Sequence, residues 1–317
     1  MDNEVIREEA SSAFNGLMKF VGRKSEKAIE KTMMDHFKRL PIETRTWIED
    51  YFAKYKFWGT LNIKKGDYEV FRIRAQILRE QRGYFIELHK RLADSQSKNV
   101  LYAILANWLY WDTKLMDVYK ERFHPEYFDP AIFERRKDEV FVDLGAFNGD
   151  SALSFIKTYE EYKRIYCYEI TPDIFQSMKN NLQKYPNIEL RQKGAGAAPG
   201  QMYLSQDEFQ VANRLVEEGS MSVDVVRIDD DINEPVTFIK MDIESGEQNA
   251  IRGCTRQIQE NRPNLAICTY HGNHDLYAIP QLIDDIQPGY KFYMRYHGNN
   301  VLIPHDFTLL AAWPDGK

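Results

Sequence analysis

The sequence is poor in cysteine, in long apolar runs and in basic charge. Its 317 residues include three cysteines, Cys167, Cys254 and Cys268, and no C-x-x-C pair. This spacing predicts reduced thiols rather than a zinc site or a disulfide framework. No apolar run reaches the roughly 18 residues that a membrane-spanning helix needs, and charged residues begin at the second position. We therefore expect a cytoplasmic protein without a membrane span.

The charge is unevenly divided along the chain. The formal net charge is -6, with 24 Lys+Arg against 21 Asp+Glu in residues 1–135 and 18 against 27 in residues 136–317. A nucleic-acid partner is not expected, because neither part is the strongly basic domain that such binding favours. The acidic second part suits a neutral or cationic ligand better than a polyphosphate.

Two kinds of periodicity divide the chain. From residue 2 to about 122, Leu, Phe, Tyr and Trp recur at steps of three and four, which predicts helices. After residue 138, apolar runs alternate with helical segments. The stretch "HPEYFDPAIFE" between them carries two prolines and is typical of a hinge. We predict a helical N-terminal domain over 1–135, which either covers an acceptor or mediates self-association into a homo-oligomer, and a second domain over 136–317.

The second domain has the pattern of a doubly wound, Rossmann-like α/β sheet. Its predicted strands are 139–144, 164–169, 187–193, 236–242 and 264–270, and its predicted helices lie near 149–160, 172–184 and 246–260. The last apolar runs, joined through "HGNN" and "PHD", predict a terminal pair of strands with one strand antiparallel to the rest.

The turn after the first predicted strand is "DLGAFNGD", residues 143–150. In a doubly wound sheet, ligands bind beyond the carboxyl ends of the strands, where such a turn lets the backbone approach them. A G-x-G-x-x-G dinucleotide motif counted from Gly145 would need glycine at Phe147 and Asp150. Their side chains disfavour a pyrophosphate and hence a nicotinamide-dependent dehydrogenase. The residues expected to approach the cofactor are Gly145, Ala146, Asn148 and Gly149.

Two acidic residues at strand ends indicate an adenosine without phosphates. The carboxylate of Glu169, which ends the second predicted strand, can accept both ribose hydroxyls, with Ile170 against the adenine. S-adenosylmethionine is such a molecule, and its ammonium and sulfonium groups suit Asp143. The alternative is that Asp143 caps the following helix and that Glu169 is a solvated strand end.

Five ordered motifs resemble those of the FkbM-type methyltransferases. They are "DEVFVDLGAFNGDSALSFI", "YCYEITPDIFQSMKNNL", "FIKMDIESGEQNAIRG", "ICTYHGNHDLYAIPQLI" and "YKFYMRYHG". The likeness runs over roughly residues 139–313, and "RLADSQSKNVL" and "EYFDPAIF" resemble segments that precede the catalytic domain in bacterial members. The resemblance implies an S-adenosylmethionine-dependent enzyme that methylates hydroxyl groups of polyketides or saccharides.

The sequence departs from the family pattern at two points. Ser245 stands where the family usually has glycine, which puts the geometry of the substrate side in question. The segment "KGAGAAPG" lacks the polar side chain that often holds the adenine amino group. Backbone groups around Gly194 and Ala195 would then have to do so.

Methylation of a hydroxyl group calls for a general base, because the acceptor proton must leave during attack. His271 follows the fifth predicted strand and is the candidate base, with Asp242 or Glu244, after the fourth, orienting the base or the acceptor. Asp242 also lies beside the expected cofactor site. Both carboxylates project to one side if the strand continues that far.

Two alternatives for these side chains stay open. His271 could instead satisfy backbone groups at its strand end. A divalent metal held by His271, His274, Asp242 and Glu244 is disfavoured, because the His-x-x-His spacing across a strand-helix junction is not a known ligand pattern, so no metal is expected.

The acceptor side is less specified. His274, Arg295 and His297 are candidate substrate contacts, the last two as an acceptor wall on one strand face. The prediction is an O-methyltransferase acting on a small-molecule or saccharide acceptor. The alternatives are a non-catalytic binding or scaffold protein that keeps the cofactor fold and, less favoured, a nicotinamide-dependent dehydrogenase.

Overall fold

The computed structural model describes residues 3–55, 58–205, 213–300 and 302–314. Its helices are α1 Asn3–Arg23, α2 Glu26–Arg39, α3 Ile42–Lys54, α4 Glu69–Glu80, α5 Arg82–Arg91, α6 Ser95–Tyr110, α7 Lys114–Val118, α8 Asp150–Tyr159, α9 Pro172–Leu182, α10 Ile228–Asp231, α11 Glu247–Gly253, α12 Thr255–Asn261 and α13 Asp275–Ile286. Its strands are β1 Val140–Leu144, β2 Arg164–Tyr168, β3 Ile188–Arg191, β4 Gly194–Ala195, β5 Gly200–Leu204, β6 Leu215–Val216, β7 Ser222–Val226, β8 Phe238–Met241, β9 Asn264–Cys268, β10 Lys291–Tyr296 and β11 Phe307–Ala312.

Two of the N-terminal helices, α2 and α6, begin at polar caps, and α2 buries one apolar face. The hydroxyl of Ser25 accepts from the backbone N–H of Ala28 at the start of α2. The carboxylate of Asp94 accepts from the N–H of Ser97 at the start of α6, at 2.7 Å. Such caps satisfy donors that the first turn leaves without partners. In α2 the buried residues Ile29, Met33 and Phe37 recur every fourth position, so they lie on one face.

The large sheet has seven strands in the order β10-β11-β9-β8-β1-β2-β3. The pairs β1–β2, β2–β3, β1–β8 and β8–β9 are parallel. The chain runs from β1 outward to β3 and later returns to β8 on the other side of β1, so the order reverses between β1 and β8. Ligands bind at this point in open α/β sheets. The predicted α/β architecture with a helical N-terminal region is confirmed.

A second, smaller sheet was not predicted from the sequence. Its four strands have the order β4-β7-β5-β6, with β5 antiparallel to both β6 and β7. Two of its strands are two residues long, and most of β5 is exposed, so no sustained apolar alternation marks them. The helix predicted near 246–260 is also interrupted at Cys254 and forms α11 and α12.

The chain divides into two compact units. The first comprises Met1–Arg122, Thr269–Tyr277 and Phe292–Thr308, and the second comprises Phe123–Cys268, Ala278–Lys291 and Leu309–Lys317. The division into domains at residue 135 stays a prediction, because compactness alone does not test which segments fold independently. Within the described residues, none of the helices combines the length and the apolar character that crossing a membrane requires.

Candidate active site

The loop that follows β1 is shaped around glycine. Gly145 has a φ of 76°, and a Cβ atom there would lie 1.8 Å from the carbonyl oxygen of Asp242. The backbone N–H groups of Gly145 and Ala146 both donate to the carbonyl of Tyr168, the last residue of β2. Only glycine fits this conformation and this close approach. The loop is therefore held against the ends of both strands that neighbour β1.

Asp143, in β1, is fully buried and is held by two side chains. One carboxylate oxygen lies 3.2 Å from the ammonium of Lys240 in β8. The other accepts from the hydroxyl of Ser151 in α8. Lys240 also donates to the carbonyl of Gly145 at 2.6 Å, so the same ammonium holds the glycine loop. This arrangement joins β1, β8 and the start of α8.

The charges of this pair depend on each other. Burial raises the pKa of the Asp143 carboxyl, and the nearby ammonium opposes that rise. Burial also favours a neutral Lys240, yet the attraction of Asp143 raises the pKa of the lysine above its ordinary value. Because both side chains are almost entirely shielded from solvent, each offsets part of the cost of burying the other. The geometry makes Asp143 an anchor of the loop, and its direct contact with a cofactor stays a prediction.

Glu169 directly follows β2 and is 7% exposed, so it is not a solvated strand end. One of its carboxylate oxygens accepts from the N–H of Thr171 at 2.7 Å, and the other accepts from the N–H of Phe147 at 3.1 Å. Burial raises the pKa of Glu169, and the hydrogen bonds from Thr171 oppose the rise. Each carboxylate oxygen can accept more than one hydrogen bond, so acceptor capacity remains for ligand hydroxyls.

The segment after β8 leaves the strand conformation at once. β8 ends at Met241, and Glu244 and Ser245 have φ values of 54° and 82°. The strand does not continue to Asp242 and Glu244, so the condition for their alignment by strand alternation is not met. The turn nevertheless brings a carboxylate oxygen of each residue to within 4.8 Å of the other. Glu247, 1% exposed at the start of α11, fixes the turn by accepting from the N–H of Ile243.

Asp242 has a further partner, Tyr127, from the segment before β1. The tyrosine hydroxyl donates to a carboxylate oxygen of Asp242 at 2.9 Å. The ammonium of Lys240 lies 5.1 Å from the centre of the Tyr127 ring. The orientation of Asp242 thus depends on a residue 115 positions earlier in the chain.

In the first unit, the segment after β9 holds His271 in a buried position. The side chain is 1% exposed, and its ring lies 4.1 Å from that of Tyr270. The carbonyl of Tyr270 accepts from the indole N–H of Trp58 at 2.7 Å. Asn273 donates to the carbonyl of Trp58 at 2.6 Å. His271 therefore lies in a segment that two hydrogen bonds tie to Trp58.

The three predicted substrate residues differ in their surroundings. His274 is exposed, and His297 is half-buried just beyond β10. Arg295, in β10, is 5% exposed, and its guanidinium donates to Asp94 at 2.8 Å and lies 3.8 Å from Glu121. These contacts within the first unit give Arg295 a structural role. That any of the three touches an acceptor stays a prediction.

The remaining predicted cofactor residues lie in the second unit. Gly194 and Ala195 form β4 and pair with β7. Asn148 accepts from the N–H of Asp150 through its side chain and from Asn181 through its carbonyl. Gly149 has a φ of 89° and precedes α8, and Ile170 is half-buried just beyond Glu169. The assignment of these five residues to the cofactor stays a prediction.

Sequence reasoning missed Lys240, Tyr127 and Arg74. Lys240 carried a usable signal, since a lysine within an apolar strand run is buried and needs a partner. Tyr127 and Arg74 carried none, because their partners, Asp242 and Asn273, lie more than a hundred residues away.

The sheet, its order reversal at β1 and the glycine loop define the Rossmann-like fold of S-adenosylmethionine-dependent methyltransferases. Residues 143–292 match the family model described as the methyltransferase FkbM domain. This match confirms the resemblance that the sequence motifs indicated. No curated protein matches the chain.

The chain is also similar to several solved structures. The methyltransferase FkbM from Methylobacillus flagellatus KT is 26% identical, with a TM-score of 0.65 over 84% of this chain and 70% of that chain. An rRNA methylase from Streptococcus thermophilus is 13% identical, with a TM-score of 0.38 over 57% and 90% of the two chains. A fibrillarin from Aeropyrum pernix, crystallised with natively bound S-adenosyl-L-methionine, is 14% identical, with a TM-score of 0.38 over 64% and 76%.

Proposed function

We propose that the protein transfers a methyl group from S-adenosylmethionine to a hydroxyl group of a small molecule or saccharide. The observation that carries this proposal is the buried carboxylate of Glu169, fixed at the end of β2 by the N–H groups of Thr171 and Phe147. A carboxylate fixed in this way is suited to two ribose hydroxyls. The loop lacks the G-x-G-x-x-G spacing that a pyrophosphate favours, which supports an adenosine that carries none.

The residues of the loop fit such a cofactor. Gly145 permits backbone approach where any side chain would collide with Asp242. The Asp143–Lys240 pair holds the loop in this conformation. The bound cofactor would supply an electrophilic methyl group, and the protein would hold the acceptor oxygen about 3 Å from it and in line with the bond that breaks.

His271 is proposed to remove the acceptor proton. β8 and β9 are neighbouring parallel strands with Met241 opposite Ile267, so the segments that leave them start at the same edge of the sheet. Asp242 follows β8 directly, and His271 comes three residues after β9. Asp242 and Glu244 would orient the base or the acceptor. A ring nitrogen of His271 would take the acceptor proton as the methyl group is transferred.

Cofactor affinity tests the site. Titration calorimetry with S-adenosylmethionine should show binding to the wild type and at least tenfold weaker binding to Glu169→Ala, because a hydrogen bond to a charged group is worth about 1.5–3 kcal/mol. Glu169→Gln keeps an oxygen for the N–H donors and should also bind more weakly. Glu189→Gln is the matched control, since that glutamate is 39% exposed in an ion pair on β3. Equal affinities in all four proteins would refute the assignment.

Methyl transfer from labelled cofactor to a panel of glycans and hydroxylated small molecules tests the catalytic residues. His271→Ala should keep the cofactor affinity of the wild type, while the rate falls roughly a hundredfold or more, the usual contribution of a general base. His36→Ala, in α2, should behave as the wild type. A rate that hardly changes in His271→Ala would show that His271 is not the base.

A binding or scaffold protein that keeps the cofactor fold is the second candidate. It would bind S-adenosylmethionine with the same dependence on Glu169 and transfer no methyl group to any member of the panel. Intact carboxylates at the strand ends favour the enzyme over this alternative.

A further inference from the structure

Arg74, in α4 of the first unit, is a buried cation with no acidic partner among the residues that the structure describes. It is 5% exposed. Its Nε–H donates to the side-chain oxygen of Asn273 at 3.0 Å. Within the described part of the chain, the Arg74 side chain forms no other hydrogen bond and no ion pair. A guanidinium has five N–H donors in a planar fork. The donors on its two terminal nitrogens therefore have no protein acceptor among these residues.

Aromatic rings flank the guanidinium but do not replace a counter-ion. Its central carbon lies 4.9 Å from the centre of the Trp108 ring and 5.7 Å from that of Phe52. A cation–π contact contributes about 0.5–2 kcal/mol. Removing an ion from water costs several kcal/mol. Burial accordingly lowers the pKa of Arg74 to about 9, which leaves it charged at neutral pH and incompletely compensated.

Asn273 connects this cation to the segment that carries His271. Its side-chain oxygen accepts from Arg74, while its amide nitrogen donates to the carbonyl of Trp58. Both hydrogen bonds are buried. They fix the position of Arg74 relative to Asn273, which follows His271 by two residues in the chain. All of these residues belong to the first compact unit.

We propose that Arg74 binds an oxyanion, namely a carboxylate, sulfate or phosphate group carried by the methyl acceptor. The free terminal donors match the two-oxygen geometry of such groups, and arginine is the side chain best suited to bidentate recognition. An incoming anion would also supply the missing counter-charge. The assignment of the anion to the acceptor rests on the proposed function, because it depends on His271 as the base.

Thermal unfolding of the full chain tests this site without methyl transfer. The probes are sodium sulfate, sodium phosphate and sodium glucuronate, each titrated against sodium chloride at equal ionic strength. Excluded salts raise the melting temperature of most proteins without saturating. The wild type should show an additional, saturable rise with at least one probe. Arg74→Met should lose this saturable part. Arg72→Met, which removes a 66% exposed side chain from the same helix, should keep it.

Each outcome either supports or overturns the oxyanion site at Arg74. A saturable response to glucuronate assigns a carboxylate-bearing acceptor, and a response to sulfate or phosphate alone assigns an acceptor bearing that group. No saturable rise in the wild type, or the same rise in Arg74→Met, overturns the proposal and leaves Arg74 a purely structural cation. If Arg74→Met does not fold, Arg74→Lys keeps the charge without the fork and should weaken the saturable response about tenfold or more.

Cofactor titration on the same preparations separates the two proposals. A wild type that binds S-adenosylmethionine but shows no saturable oxyanion response refutes the Arg74 site alone. A wild type with the oxyanion response but no cofactor binding refutes the methyltransferase proposal and leaves an anion site.

Discussion

The two compact units each bury a cation, and they treat it in opposite ways. In the second unit, Lys240 lies 3.2 Å from the carboxylate of Asp143 and donates to the carbonyl of Gly145. In the first, Arg74 has an amide oxygen and two flanking rings, and no carboxylate among the described residues pairs with it. The pKa of Lys240 rises above its ordinary value, whereas that of Arg74 falls to about 9. A paired buried charge completes the fold, and an unpaired one indicates a ligand.

Arg295 shows that the first unit can also pair a buried cation. Its guanidinium donates to Asp94, which also caps α6, and it lies near the buried Glu121. The lack of an acidic partner is therefore particular to Arg74 and not a general property of that unit.

The largest effect on the free energy of unfolding is expected from removing the carboxylate that pairs with Lys240. Asp143→Ala should lower the free energy of unfolding by about 3–5 kcal/mol, because it leaves Lys240 buried without its counter-charge. Urea denaturation measures this change. Asp230→Ala is the control, since it removes a 60% exposed carboxylate near Arg227 and should change stability by less than about 1 kcal/mol. If the two variants unfold at the same urea concentration, the pair does not stabilise the fold.

A much smaller effect is expected from removing the unpaired cation. Arg74→Met loses one hydrogen bond and two ring contacts but also removes an uncompensated charge, so the free energy of unfolding should change by less than about 1 kcal/mol. The same denaturation series, in chloride buffer without oxyanions, gives the value. If Arg74→Met lost as much free energy of unfolding as Asp143→Ala, the two buried cations would not differ in their contribution to stability.

An effect of similarly small size, but of opposite sign to that of Asp143→Ala, is expected at the turn after β8. Ser245 has a φ of 82°, a conformation that glycine, the usual residue of the family here, adopts without strain. Ser245→Gly should raise the free energy of unfolding by up to about 1 kcal/mol, the strain relieved exceeding the added freedom of the unfolded chain. Ser154→Gly, inside α8, should lower it by about 0.5–1 kcal/mol. A destabilised Ser245→Gly would mean that the serine side chain holds the turn.

The sheet could be predicted because each core strand is an unbroken apolar run. All residues of β1 and β9 are buried, as in a parallel sheet covered on both faces. The positions of the glycine loop and of Glu169 could also be predicted from the sequence. A residue just after a strand of such a sheet lies at the edge where ligands bind. The local sequence pattern was sufficient wherever the position of a residue followed from the strand before it.

The rest depends on pairings that no local pattern records. The three consecutive aspartates from Asp229 resemble a solvated turn, yet Asp229 is 5% exposed and accepts from the backbone N–H groups of Arg256 and Gln257. Arg295 looked available to an acceptor until Asp94 and Glu121 became its partners. Long-range contacts of this kind decide which charged side chains remain for function.

The hydrogen bond from Tyr127 limits where a shortened fragment of the protein can begin. The matched methyltransferase domain begins at residue 143, and a fragment that started there would omit both Tyr127 and the first three residues of β1. Asp242 would lose the hydroxyl donor of Tyr127, and Phe238 would lose the rings of Phe128 and Phe133 that pack on it at 5.6 and 4.9 Å. A fragment that carries the matched residues should therefore start at Phe123 or earlier, because the second compact unit begins there.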